Sequence, residues 1–193
     1  MKVEVLIKTR NGLVSTKDAE SSGVPRARLS EAVAAGELER VSRGIYCSPE
    51  AWEDEYAVAD MRFRSGILSH GTALFLHDLT DRTPERVTMT FSRSYNATTA
   101  RKNSIEVRTC APELLNLGVE SVVTPCGNTV RCYDVERTLC DMLRGRSNVD
   151  VQVVNPAMRA YASSRRRDMP KLLRYANSLG VATKVRRYLE VLL

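Results

Sequence analysis

The chain predicts an α+β fold in two parts: a small N-terminal part of helices and one hairpin, then a larger mixed α/β part that ends in helices. Three observations carry this reading. Helix start and stop signals, with glycine and proline at the joints, punctuate the stretch from Ser15 to Pro49. Alternating apolar residues mark strands between about residues 86 and 133. Helical periodicity, rich in lysine and arginine, then takes over to residue 193.

The first helix is announced by Ser15-Thr16-Lys17-Asp18, where the Ser15 hydroxyl can accept from the Asp18 N–H while the Asp18 carboxylate reaches back to Ser15. It carries Ala19 inward and ends at Ser22-Gly23, because glycine takes the left-handed conformation that a tight interhelical turn requires. Val24 plugs the angle between the helices. Pro25, with φ already helical, suits the first position of a second helix running to about Ala35 and stopped by Gly36. On that helix Leu29, Ala32 and Val33 share one side at spacings of three and four and should pack inward. Ala27, Ser30, Glu31 and Ala34 then point outward, flanked by Arg26 and Arg28. Next come Leu38-Glu39-Arg40-Val41, Ser42-Arg43-Gly44 and Ile45-Tyr46-Cys47, a short hairpin with a basic tip.

Two helices and a hairpin in this order read as a winged helix-turn-helix, so residues 1–50 are predicted to form a DNA-binding domain and 51–193 a separate α+β domain. On this reading Arg26 and Ser30 contact bases, Ala27 meets a thymine methyl, and Thr16, Lys17, Arg28, Arg40 and Arg43 hold phosphates. Glu31 either accepts from a cytosine amine or turns away from the duplex. The plainer alternative is a helix pair and hairpin in an ordinary core, with the arginines on a solvated face.

Downstream, Trp52, Tyr56, Ala59 and Phe63 repeat at helical spacing and predict an amphipathic helix whose aromatic residues join the core. Ser69-His70-Gly71-Thr72-Ala73-Leu74 opens a helix that runs through His77. Arg86–Phe91 alternates as a strand, and further strands are expected at 105–110, 119–124 and 129–133. Asp134 caps a helix reaching Arg144, with Val135 and Leu139 inward and Arg137–Asp141 as an i,i+4 pair. Ser92–Asn103 is polar and basic and reads as an exposed loop.

Composition sets wider limits. With 193 residues, 43% of them hydrophobic and 27% charged, the chain can bury a proper core. No apolar run is long enough to span a bilayer, and Met1-Lys2-Val3-Glu4 does not begin a secretion signal, so a cytoplasmic protein is expected, with no membrane partner. Cys47, Cys110, Cys126, Cys132 and Cys140 contain no Cys-x-x-Cys pair and are read as reduced; Cys126 and Cys132 either face each other across a hairpin turning at Gly127-Asn128 or, on the plainer reading, are two small strand residues. The net charge of +6 is concentrated at the C-terminus: residues 156–193 hold nine Lys/Arg against two Asp/Glu. Arg165, Arg166, Arg167, Lys171, Arg174, Lys184, Arg186 and Arg187 there form either a surface for phosphate or an acidic partner, or a solvated helical face.

Taken together, Gly23-Val24-Pro25 with Leu29, then Gly36-x-Leu38-x-Arg40-Val41-x-Arg43-Gly44-x-Tyr46, the Ser69–Leu74 segment and Glu136-Arg137-Thr138-Leu139-x-Asp141 give the chain a family likeness. It resembles, over nearly its whole length, the AbiEi antitoxins of bacterial abortive-infection, type IV toxin–antitoxin systems. The resemblance implies a winged helix that represses its own operon by binding inverted repeats in double-stranded operator DNA. It further implies a C-terminal domain that counters a nucleotidyltransferase toxin encoded beside it, without requiring a tight complex. It implies no cofactor and no catalysis.

Rival classes rest on less. The first is a winged-helix transcriptional regulator unrelated to a toxin. As a nucleic-acid-processing enzyme the chain would need a reactive constellation, and the residues offer little toward one. His70 and His77, the only histidines, lie about 10 Å apart along a helix, too far to share one metal. Glu136 with Asp141, or Asp78 with Asp81, read as caps and surface ion pairs. No phosphate-cradling glycine loop, Gly-x-Ser-x-Gly or His-Glu-x-x-His occurs.

Overall fold

A computed structural model of the chain describes residues 3–9, 11–144 and 151–192. It is mixed α/β, with two sheets and ten α-helices among the described residues. Two compact units are formed: Met1–Arg64 with Val123–Val130, and Ser65–Val122 with Arg131–Leu193.

The first unit contains α1 (Val3–Thr9), β1 (Leu13–Ser15), α2 (Thr16–Ser21), α3 (Arg26–Ala34), β2 (Glu39–Ser42), β3 (Ile45–Cys47) and α4 (Glu55–Arg62). The capping box expected at Ser15 is formed: its Oγ accepts from the Asp18 N–H at 3.1 Å, and the Asp18 carboxylate accepts from the Ser15 N–H at 3.1 Å. Gly23 takes φ +72°, and the Val24 N–H donates to the Ala19 carbonyl, closing the turn between α2 and α3. Pro25 stands one position earlier than its φ alone suggests. Its extended ψ of 147° makes it the cap, and Arg26 is the first helical residue. Leu6, Val14, Ala19, Val24, Leu29, Ala32 and Leu38 form the core, with Val33 packed at its margin.

The strands order as β1-β3-β2, all antiparallel, and Thr16 ties this sheet to α2. Both its N–H, at 2.8 Å, and its hydroxyl, at 3.2 Å, donate to the Gly44 carbonyl at the hairpin turn. The unit extends beyond residue 50 because α4 packs on the hairpin strands β2 and β3. Asp54 caps α4 by accepting from the Ala57 N–H, and its other oxygen accepts from the Thr124 hydroxyl and the Asn128 amide. This capping corrects the expectation for Trp52. The helix begins after it, and Trp52 is 87% exposed, while Tyr56, Ala59 and Phe63 are buried.

The second unit holds a five-stranded sheet in the order β6-β5-β4-β8-β7, made of β4 (Gly66–Leu68), β5 (Thr88–Ser92), β6 (Glu106–Cys110), β7 (Val119–Val123) and β8 (Thr129–Tyr133). The central strand β4 pairs antiparallel with β5 and parallel with β8, and β5 pairs parallel with β6. Gly66 is required in β4, since a Cβ there would lie 2.6 Å from the Phe91 ring. Helices α5 (His70–Leu76), α6 (Thr98–Lys102), α7 (Val135–Met142), α8 (Val151–Ser163), α9 (Met169–Ser178) and α10 (Ala182–Leu192) complete it. Leu74, Leu139, Met158, Leu172, Ala176 and Val185 are at the centre of its core.

Two expectations are corrected here. The polar segment read as a loop contains α6, seated by the buried Ala97 and Ala100, whose small side chains give little apolar signal. Cys126 is exposed in the turn between β7 and β8, not in a strand, whereas Cys132 is buried in β8.

Helix α7 is buried almost throughout. The expected Arg137–Asp141 pair is present at 2.8 Å, but within the core: Arg137 is fully buried and Asp141 is 2% exposed. Glu136 is buried as well, so neither carboxylate is the surface group expected. Arg137 Nη1 donates to the carbonyls of Leu114 and Leu117 at 2.7 and 2.9 Å, and its guanidinium lies 4.2 Å over the Tyr133 ring. Removing one member of such a pair strands a buried charge. Arg137→Ala is therefore expected to destabilise the second unit by about 3–5 kcal/mol, read by urea denaturation, whereas the exposed Lys102→Ala should stay within about 0.5 kcal/mol.

Candidate nucleic-acid interface

The site builds outward from Leu29. With Leu29 and Ala32 buried against the core, the opposite stripe of α3 faces solvent: Ala27, Ser30, Glu31 and Ala34 are all exposed, as are Arg26 and Arg28 at its start. Small side chains along the stripe leave the helix backbone free to approach a partner closely. Neither arginine is free of local partners. Arg26 Nε lies 2.5 Å from Glu20 Oε1 on α2, and Arg28 Nη1 lies 2.7 Å from Glu31 Oε2 one turn along α3. The hydrogen bond and charge of Glu31 raise the pKa of Arg28 above the ordinary arginine value.

The hairpin adds Arg40 and Arg43, both exposed. Arg62 joins them: from the last turn of α4 its Nη1 donates to the Ser42 hydroxyl at 2.7 Å. Sequence spacing gave no hint of this third cation, which is brought to the hairpin from twenty residues away. Lys17 is exposed on α2. Thr16 is half-buried with its hydroxyl engaged by Gly44, which makes it the strut between α2 and the hairpin.

Among the C-terminal cations, Arg165, Arg166, Arg174, Arg186 and Arg187 are exposed. Arg167 and Lys184 are partly committed to structure. Arg167 donates to the carbonyls of Ala162 and Ser164 near the end of α8, and Lys184 to that of Leu143.

The residues considered for catalysis are held by their own surroundings. His70 begins α5 with φ +51°, its Nδ1 3.1 Å from the Ser69 hydroxyl, which itself accepts from Thr90 Oγ1 at 2.8 Å. His77 Nε2 donates to the Tyr133 carbonyl at 2.7 Å. A cavity of about 580 Å³ in the second unit is lined in part by His77, Glu120, Asp134, Glu136, Arg166 and Lys171. The Lys171 ammonium bridges Asp134 and Glu136 at 3.0 and 2.9 Å. Burial works against that ammonium, but the two hydrogen bonds outweigh it and hold its pKa above the ordinary lysine range. Among the described residues, no group of three or more His, Cys, Asp or Glu side chains is placed to hold a metal ion. Nor is any helix among them long and apolar enough to cross a membrane.

The first unit thus presents an exposed, arginine-flanked face of α3 and a basic hairpin. Comparison with known proteins narrows this. Residues 3–49, the N-terminal region, match the family model described as transcriptional regulator, AbiEi antitoxin. That region thus carries the sequence pattern of an antitoxin or transcriptional-regulator family. The fold is similar to the crystal structure of the RV2827C protein from Mycobacterium tuberculosis, with a TM-score of 0.58 and 14% identity over 98% of this chain and 78% of that chain. At that identity the likeness concerns the fold alone. None of the curated proteins matches the chain.

The environment of His70 makes a pH prediction. Burial lowers its pKa from 6.5 to about 4, with Asp141 and Glu106 opposing the shift and Arg108 and Arg137 adding to it. The unfolded chain therefore binds a proton that the folded one refuses. The His70 contribution is complete above about pH 6.5 and is lost as pH falls toward 4, at up to about 1.4 kcal/mol per pH unit. His70→Asn, which tolerates positive φ, is expected to flatten this part of the stability profile in denaturant titrations between those pH values.

Proposed function

We infer that the first unit is a winged helix-turn-helix that binds double-stranded DNA, with α3 in the major groove and the β2–β3 hairpin as the wing. The observation that carries the reading is the solvent-facing stripe of α3, in which Ala27, Ser30 and Ala34 are small and Glu31 is paired with Arg28, flanked by Arg26 and Arg28, behind which Leu29 and Ala32 are buried. An α-helix enters the major groove when its outer side chains are short enough to bring the backbone near the base edges. Arg26 and Ser30 take the base contacts and Ala27 a thymine methyl. Lys17, Arg28, Arg40 and Arg43 contact phosphates, and Thr16 adds its contact at the start of α2.

The chain is, on this proposal, an autoregulatory antitoxin that represses its own operon at inverted repeats and counters a nucleotidyltransferase toxin through the second unit. Support for this finer step is the family match over residues 3–49, together with the resemblance carried by the Ser69–Leu74 and Glu136–Asp141 segments. In the second unit Arg165, Arg166, Arg186 and Arg187 are exposed and can extend the contact with phosphate. Arg167 and Lys184 share that duty with their carbonyl contacts.

The two kinds of contact separate by mutation. Arg26→Ala is expected to weaken binding by about 1–3 kcal/mol and relax preference at one base position. Lys17→Ala should weaken all sequences alike and reduce the salt slope by about one unit. Footprinting and salt titration check both, and equal losses on selected and random duplexes for Arg26→Ala would remove it from base readout. For the toxin arm, the neighbouring reading frame is decisive. A nucleotidyltransferase whose expression arrests growth unless this chain is co-expressed supports it, and an unrelated neighbour removes it.

A further inference from the structure

The two arginines that flank the outward stripe of α3, Arg26 proposed for a base and Arg28 for a phosphate, are already paired with carboxylates inside the same unit. Glu20 on α2 holds Arg26 at 2.5 Å, and Glu31 holds Arg28 at 2.7 Å from within the outward stripe of α3 itself. All four side chains are about half exposed or more, with relative exposures of 73% and 49% for the Arg26–Glu20 pair and 66% and 60% for Arg28–Glu31. Neither glutamate is needed to build the core: α2 is capped by Ser15 with Asp18 completing the box, and the residues that seat α3 are Leu29 and Ala32. Two acidic side chains on a face otherwise suited to a polyanion call for a role.

We propose that Glu20 and Glu31 are specificity-determining latches, which keep Arg26 and Arg28 from spending their charge on arbitrary phosphates and release them only to a guanine edge or a well-placed acceptor. This deepens the DNA-binding reading above and rests on it. A paired guanidinium brings little net positive charge to a duplex, so it releases little of the counterion atmosphere that drives non-specific association. Solvent-exposed ion pairs are weak. A bidentate contact from arginine to guanine O6 and N7 is stronger and depends on sequence, so it displaces the glutamate where a lone phosphate does not. Once displaced, the carboxylates face phosphates, a repulsion offset only where the base contacts form. Arg40, Arg43 and Lys17, which no carboxylate holds in this way among the hydrogen bonds and ion pairs of the structure, supply the sequence-independent grip.

The test uses the full chain and its Glu20→Gln, Glu31→Gln and double variants, with thermal unfolding as a check that the fold is retained. Two duplexes are titrated by fluorescence anisotropy from 50 to about 300 mM salt: one recovered by in-vitro selection with the wild-type protein, and one of random sequence. For the random duplex, each substitution is expected to raise affinity several-fold and steepen the log K against log salt slope by about one. Affinity for the selected duplex should rise less, so that the ratio between the two falls. In the free wild-type protein the Arg26 Nε–Hε and Arg28 Nη–Hη resonances should report the paired guanidiniums, stay in place on adding random duplex, and move on adding the selected one. Unchanged affinities and slopes, an equal rise on both duplexes, or a loss confined to the selected duplex would each overturn the latch while leaving DNA binding intact. Absence of binding to any duplex would instead overturn the DNA-binding reading itself, and the latch with it.

Discussion

Burial of one side chain, Leu29, decides what the first unit can present. It has no exposed surface and is packed among Leu6, Val14, Ala19, Val24 and Leu38, so α3 cannot rotate without moving its only large apolar residue into water. Burying or exposing a leucine differs by roughly 1.5–3 kcal/mol, enough to fix the face. Everything outward follows from that: the small stripe, the arginines at the helix start and the glutamates beside them. The capping box at Ser15 and the left-handed turn at Gly23 set the angle at which this face is held. Thr16 then ties α2, on which α3 packs, to the hairpin through one carbonyl, that of Gly44.

The second unit depends on a different kind of constraint. Its helix α7 places Arg137 in the core, where Asp141, two carbonyls and the Tyr133 ring receive it. Gly118 lies against this arrangement with φ +77°, and a Cβ there would come within 2.8 Å of the Arg137 Cβ. Removing either the guanidinium or its carboxylate would leave an uncompensated charge in the core, so the loop and the helix that it spans are held together. The Glu-Arg-Thr-Leu-x-Asp segment therefore has a structural account that requires no chemistry. In the neighbouring bridge one ammonium, that of Lys171, serves both Asp134 and Glu136, whose carboxylates also accept from Tyr175 and Tyr161.

Much of this was legible in the sequence, and the misses share a cause. The serine cap, the glycine turn, the inward set on α3, the hairpin, the four strands β5 to β8 and the capped helix at Asp134 are all local signals, each written in neighbouring residues. Strand β4 was not legible, because Gly66-Ile67-Leu68 is too short to show a period and is buried by partners distant in sequence. Helix α6 was hidden by its polar composition. Trp52 was assigned to the core on spacing alone, although Asp54, two residues on, is the cap that starts the helix after it. The burial of Glu136 and Asp141 could not be seen, because whether a carboxylate on a helix faces water depends on α8 and α9 rather than on its own spacing. At the candidate interface, the exposure of the arginines was readable from the position of Leu29. The Arg26–Glu20 pairing and the arrival of Arg62 at the hairpin were not, since both depend on how separate elements meet.

The central claim is that the outward face of α3 and the hairpin beside it meet a DNA duplex. Hydrogen–deuterium exchange of the full chain, with and without a selected duplex, addresses it most directly. The account predicts slowed exchange concentrated in residues 26–35 and 39–47, with the core of the second unit unchanged. Slowed exchange confined to the second unit, with α3 and the hairpin exchanging as in the free protein, would contradict it.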